Sequence, residues 1–247
     1  MTVTEIEAKS ALVRSRIPGV DYVINPYTGC AHGCRFCYAV FVTRFNARHR
    51  GAAWGTFVAA KTNIARVLRE ELSRKRATGA AMLSSVCDPY QPAELRYRLT
   101  RDCLAALRDH GWGIEVLTRS PLVRRDLDLL RGYGPASVGF SIGTDDERVR
   151  RILEPGAPPI AARVAALCAL HEAGIRTWVF IAPVLPMDPA RLAGLIGPYV
   201  DSVMIDGLNY GSRVAGLFRR HGWAHALTPD YAQRTAAELR ARLPCRD

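Results

Sequence analysis

The sequence predicts an α/β protein built around a parallel sheet, and two observations carry this. Six short apolar segments alternate with helical ones between residues 21 and 210, the arrangement that parallel sheets require. Polar or small residues gather just after those segments, at Cys30, Ser84 to Asp88, Thr118 to Ser120, Ser141, Ala182-Pro183, Asp206 and Asn209. In parallel α/β architectures the carboxyl ends of the strands form the active face, so the candidate chemistry falls on one rim.

Taken in order, residues 1–20 are a polar lead-in closing at Pro18-Gly19. Residues 21–25, Asp-Tyr-Val-Ile-Asn, are β-rich and form the first strand. Residues 39–55 read as a loop with a short helix, and Ile64, Val67, Leu68 and Leu72 recur at helical spacing between Lys61 and Lys75. The second strand is 80–86. A helix over 93–110 places Leu95, Leu99, Cys103 and Leu107 on one face and stops at Gly111. Strands over 114–118, 137–142, 177–182 and 202–205 follow, separated by helices over 122–130, 160–173 and 190–199, with a terminal helix over 229–242.

At 247 residues, 49% hydrophobic and 23% charged, the chain has the size and composition of an ordinary soluble globular protein. It shows no apolar run long enough to span a membrane and no signal-peptide pattern at its start, so a cytoplasmic location is expected. The net charge of +11 invites a nucleic-acid partner. Only Lys9, Lys61 and Lys75 are lysines, leaving 34 − 3 = 31 arginines, a skew that a GC-rich coding background also produces. The densest basic stretch, Arg69 to Arg76, includes Glu70 and Glu71 and reads as a solvated helix end.

Cys30, Cys34 and Cys37 stand in a C-x3-C-x2-C run inside residues 25–38. Three thiolates this close call for a soft metal partner, zinc or an iron–sulfur cluster. A structural zinc site usually draws four ligands from two separated pairs. The remaining cysteines, Cys87, Cys103, Cys168 and Cys245, stand singly, so a zinc knuckle would need His32 or His49. A [4Fe–4S] cluster held by three cysteines instead leaves one iron without a protein ligand. Gly29 and Gly33 let the backbone fold closely around an inorganic core. His32 is read as a solvent-facing loop residue. Cys103 and Cys168 are read as core.

This run, with Phe36 just before the third cysteine, resembles the signature of the radical S-adenosylmethionine (SAM) superfamily. The resemblance implies a partial (β/α)6 TIM-like barrel over residues 21–210, preceded by the 1–20 lead-in and followed by a helical extension over 211–247 packed on the barrel. It implies a [4Fe–4S] cluster on Cys30, Cys34 and Cys37, SAM on the open iron, and Phe36 beside the adenine. A one-electron reductant such as flavodoxin or ferredoxin would be the redox partner.

Residues 25–30 (NPYTGC), 88–94 (DPYQPAE), 117–122 (LTRSPL), 141–145 (SIGTD) and 153–157 (LEPGA) resemble, in order and spacing, the spore photoproduct lyase-like branch. By position, Ser84 and Ser85 would receive the SAM ammonium group, Arg119 would pair with its carboxylate, Ser141 would touch the ribose and Ala182 the adenine. The branch often has lysine at the Arg119 position. Ser84, Ser85 and Ser141 could instead cap the helices that follow. The branch's hydrogen-donor cysteine aligns with Ser85, whereas this chain has a thiol at Cys87, a candidate catalytic residue. Glu154, Asp206, Asn209, Tyr210, Tyr38 and Tyr90 are further candidate pocket residues.

The resemblance implies radical chemistry on a small molecule or a nucleic-acid lesion. The alternatives are spore photoproduct lyase-like DNA repair, or 3-amino-3-carboxypropyl transfer from SAM to a soft acceptor such as trivalent arsenic, as in arsinothricin-type biosynthesis. A non-enzymatic iron–sulfur carrier or sensor is the reading from another class.

Overall fold

The computed structural model describes residues 1–45 and 50–245. Its strands are β1 (Thr2–Ile6), β2 (Val13–Arg14), β3 (Tyr22–Ile24), β4 (Tyr27–Thr28), β5 (Phe57–Lys61), β6 (Ala80–Leu83), β7 (Gly113–Thr118), β8 (Ala136–Ser141), β9 (Arg176–Ile181) and β10 (Ser202–Ile205). β3 and β6 to β10 pair in chain order, every pair parallel, and β2 adds antiparallel to the outer edge of β3. Six parallel strands with helices between them make the partial (β/α)6 barrel.

Alternation along the strands divides the core in two. Leu83, Val116, Val138, Phe140, Val179 and Ile181 face outward under the helices in the main apolar cluster. Val23, Met82 and Trp178 face the lumen, with Leu117 and Phe180 packed against them. Gly139 is what admits the indole, because a Cβ there would lie 2.3 Å from the Trp178 ring.

The residues before and just after the first barrel strand do more than lead in. β1 pairs in parallel with β5, and β5 pairs antiparallel with β4, making a second three-stranded sheet beside the cysteine loop. β4 and β5 are too short or too uniformly apolar to show period-two alternation, which is why the sequence reading passes over them.

The 93–110 helix is two helices, Glu94–Tyr97 and Leu99–Asp109, broken at Arg98, whose φ is 53°. The carboxylate of Glu94 accepts from the N–H groups of Thr100 and Arg101, capping the second helix. The break turns Leu95 out to solvent at 66% exposure, off the apolar face where unbroken periodicity places it. A helix at Glu147–Leu153, absent from the sequence reading, starts at Asp146, whose side chain accepts from the N–H groups of Arg148 and Val149. The 122–130 segment is mainly 3-10 helix over Pro121–Asp126, and the terminal region holds helices at Ala215–Arg220 and Pro229–Arg240. Among the described residues, no helix is long and apolar enough to cross a membrane.

Candidate active site

The cysteine loop leaves β4 and is held from several sides. Gly29 adopts φ 83° and lies so close to β5 that a Cβ would meet the Phe57 carbonyl oxygen at 2.5 Å. Gln91 donates from Nε2 to the Gly29 carbonyl and accepts from the Ala31 N–H, clasping the start of the loop. Gly156 donates to the His32 carbonyl, and a Cβ at Gly156 would lie 2.3 Å from the Ala31 oxygen. The Arg35 N–H donates to the Leu153 carbonyl.

His32 corrects an expectation, because it is 2% exposed rather than solvent-facing. Its Nδ1 lies 3.1 Å from the Gly156 carbonyl oxygen and its Nε2 3.2 Å from Asp88 Oδ2. Asp88 also accepts from the Thr118 hydroxyl and from the N–H groups of Arg119 and Tyr90. Burial alone would raise the Asp88 pKa; the His32 ring and these donors outweigh it and bring it down to about 2. One buried carboxylate therefore links the cysteine loop to the ends of β6 and β7.

Arg119, at the end of β7, donates from Nε to Glu154 Oε1 at 2.9 Å, and Arg163 donates from Nη2 to Glu154 Oε2 at 2.6 Å. Arg163 also donates to the Ser141 carbonyl. The Arg119 guanidinium carbon stands 5.9 Å from the Phe36 ring centroid. Glu154, offered by the sequence as a pocket wall, is instead 1% exposed and enclosed by these two arginines. They overcome the burial penalty and hold its pKa down to about 2. Neither the Glu154–Arg163 pair nor the clasp by Gln91 is visible in the sequence: Glu154, Arg163 and Gln91 are ordinary polar residues until the fold brings their partners to them, and the partners of Gln91 are backbone groups of Gly29 and Ala31.

All ten predicted site residues line one cavity of about 950 Å³: Cys30, Cys34, Cys37, Phe36, Ser84, Ser85, Cys87, Arg119, Ser141 and Ala182. Tyr38, Asp206, Asn209 and Tyr210 line it as well, whereas Tyr90 is buried with its hydroxyl on Asp126. Ser84, Ser85 and Ser141 cap no helix, since Ala93 and Asp146 hold the cap positions that follow β6 and β8. Ser84 sits at φ 66°, a left-handed conformation that non-glycine residues rarely adopt and that clusters at functional sites. Cys103 is fully buried; Cys168 is only half-buried, with its thiol on Glu172, and so is not core.

Burial raises the thiol pKa of Cys30 and Cys37, and that of Cys34 to about 12. Buried thiols of this kind become thiolates only against a cationic partner. Among the described residues no three His, Cys, Asp or Glu side chains converge on a single metal ion. All three thiols line one cavity, where a cluster would take one of them on each of three irons. The arrangement does not suit a mononuclear zinc centre with His32, whose ring nitrogens are both turned to oxygen partners. His49, the other offered zinc ligand, lies outside the described residues.

Comparison with known proteins agrees with this geometry. Residues 24–191 match the model of the radical SAM superfamily. An uncharacterized protein of Methanocaldococcus jannaschii is 33% identical over 209 residues, spanning 84% of this chain and 78% of the relative. A "Radical SAM Nalpha-GlyT isomerase" of Pseudomonas phage M6 is 30% identical over 163 residues, 66% of this chain and 33% of the phage protein. Among solved structures, a spore photoproduct lyase variant with bound AdoMet and dinucleoside spore photoproduct superposes with a TM-score of 0.62 at 16% identity, covering 89% of this chain. The chain spans 66% of that structure's length. Members of the matched family bind a [4Fe–4S] cluster and SAM and carry out SAM-dependent radical chemistry. With its three-cysteine loop on a partial (β/α)6 barrel, this chain belongs to the radical SAM superfamily.

Proposed function

We propose that the protein reductively cleaves SAM at a [4Fe–4S] cluster held by Cys30, Cys34 and Cys37, and turns the resulting radical on a substrate bound in the same cavity. The observation that carries this is the convergence of the cysteine loop and four strand ends, those of β6, β7, β8 and β9, on that one space. The cluster supplies one electron to SAM, and the chain's own residues bind and orient.

Arg119 is suited to the SAM carboxylate: Glu154 takes its Nε, which leaves the two terminal nitrogens for a bidentate partner. Ser84 and Ser85 offer hydroxyl and backbone groups to the ammonium. Ser141, which lines the same cavity, would touch the ribose, with Phe36 and Ala182 as apolar walls for adenine.

Cys87 has its thiol 3.3 Å from the Ser84 hydroxyl and 3.4 Å from the Tyr27 carbonyl. Burial raises its pKa to about 11, so at neutral pH it carries its proton. That state suits hydrogen-atom donation to a carbon radical; gripping a soft acceptor such as trivalent arsenic needs the thiolate.

The substrate class is a small molecule or a nucleic-acid lesion. Support for the second comes from the spore photoproduct lyase complex and its dinucleoside. The test is anaerobic: reconstitute the cluster, add SAM and a one-electron reductant, and identify the SAM fragments by mass spectrometry. 5'-Deoxyadenosine with methionine is expected. Methylthioadenosine would replace this reading by aminocarboxypropyl transfer, and a cluster whose EPR spectrum ignores added SAM would favour a carrier or sensor. Cys87→Ala leaving turnover unchanged would remove Cys87 from the mechanism.

A further inference from the structure

The cluster must receive electrons from outside the chain, and the elements around the cysteine loop present a cationic face. No aspartate or glutamate occurs from Tyr22 to Arg69, a stretch that contains the whole cysteine loop, and none from Gly207 to Pro229. Cys34 and Phe36 pack in one apolar cluster with Val149 and Leu153 of the helix Glu147–Leu153 and with Val214, Phe218 and Trp223. The solvent sides of those same elements carry Arg35, Arg148, Arg151, Arg213, Arg219 and Arg220, all exposed.

Contacts tie three of these arginines to the loop and to the elements around it. Arg35 donates from Nε to the Ile152 carbonyl, Arg213 donates to the carbonyl of Cys37, and Arg148 lies 5.8 Å from the Trp223 ring centroid. The nearby acids are engaged elsewhere: Glu147 with Arg150, Glu154 with Arg119 and Arg163, and Asp146 with the first N–H groups of its helix. None of the six arginines lines the cavity, so none touches a small molecule held inside it. Behind this face, Cys34 is buried in the apolar cluster that those elements close.

We propose that this arginine face is the docking surface for an acidic one-electron carrier protein, which reduces the cluster through the backbone and apolar layer around Arg35. At this surface the reduced carrier loses one electron and the cluster gains it, with no atom or proton exchanged. The proposal rests on the cluster reading above. Charge complementarity would act mainly on the rate of encounter, with a strong dependence on salt.

The experiment measures anaerobic cluster reduction by stopped flow, in the reconstituted full chain, with reduced flavodoxin and separately with dithionite. Three substitutions away from the loop, Arg151→Glu, Arg219→Glu and Arg220→Glu together, should slow the flavodoxin reaction roughly 10-fold or more at low salt and leave the dithionite reaction unchanged. In the unaltered protein the flavodoxin rate should fall as salt rises, a readout that does not depend on the variant folding. Equal flavodoxin rates in both proteins, or a salt-independent rate, would overturn the proposal. So would a variant that loses affinity for a DNA duplex while keeping its flavodoxin rate, which would reassign the face to nucleic acid. A chain that assembles no EPR-active cluster would instead overturn the function reading on which this one stands.

Discussion

Arg119 donates from Nε to Oε1 of Glu154 at 2.9 Å, and the receiving carboxylate is itself almost wholly buried. The arginine that addresses the cavity is thus aimed by a residue that never reaches it. Glu154→Gln keeps the shape but removes the charge that balances Arg119 and Arg163. Breaking a buried ion pair by deleting one partner costs about 3–5 kcal/mol, and an Arg119 no longer aimed by Glu154 should bind SAM more weakly. Denaturant unfolding and SAM affinity by equilibrium dialysis measure the two effects.

Acid should destabilise the protein through Asp88 and Glu154. Their folded pKa values lie near 2, below the ordinary 3.8 and 4.5. A depressed carboxylate stabilises the fold above its unfolded pKa and loses that contribution as pH falls toward the folded one. For Asp88 the loss is about 2 kcal/mol between pH about 4 and 2. Unfolding free energy followed by urea titration across that window should fall, and should fall less steeply in Asp88→Asn.

Gly156→Ala places a methyl group where the Ala31 carbonyl oxygen already lies. The cysteine loop must shift, and the expected result is fewer iron atoms bound per chain after reconstitution, with helix content by circular dichroism unchanged.

Gly139→Ala pushes a methyl group into the Trp178 ring inside the barrel. Overpacking of this kind costs typically about 1–3 kcal/mol. A lower midpoint in urea with altered tryptophan emission would record it; an unchanged midpoint would mean that the indole has room to move.

The barrel and the rim were legible in the sequence because both depend on local signals: apolar strands, helical periodicity, and polar residues at strand ends. Every residue that the resemblance assigns to the cluster or to SAM lines one cavity on that rim. What the sequence hid depends on contacts made across the fold. Periodicity runs straight through Arg98 because a left-handed residue leaves no mark on the hydrophobic pattern. His32 reads as solvated until Gly156 and Asp88 are seen to close over it. Glu154 reads as one more polar residue near the rim until Arg119 and Arg163 arrive from two other elements.

The small sheet has a consequence for assembly. β1 braces β5, and β5 braces β4, from which the cysteine loop departs. Residues 2–6, 27–34 and 57–61 should therefore open and close as one cooperative unit, measurable as a shared hydrogen-exchange rate. During synthesis the loop emerges before β5, so its thiols stay unframed at least until that later strand leaves the ribosome. Iron has a shaped receptacle to enter only after that moment, which sets folding of this unit ahead of cofactor loading.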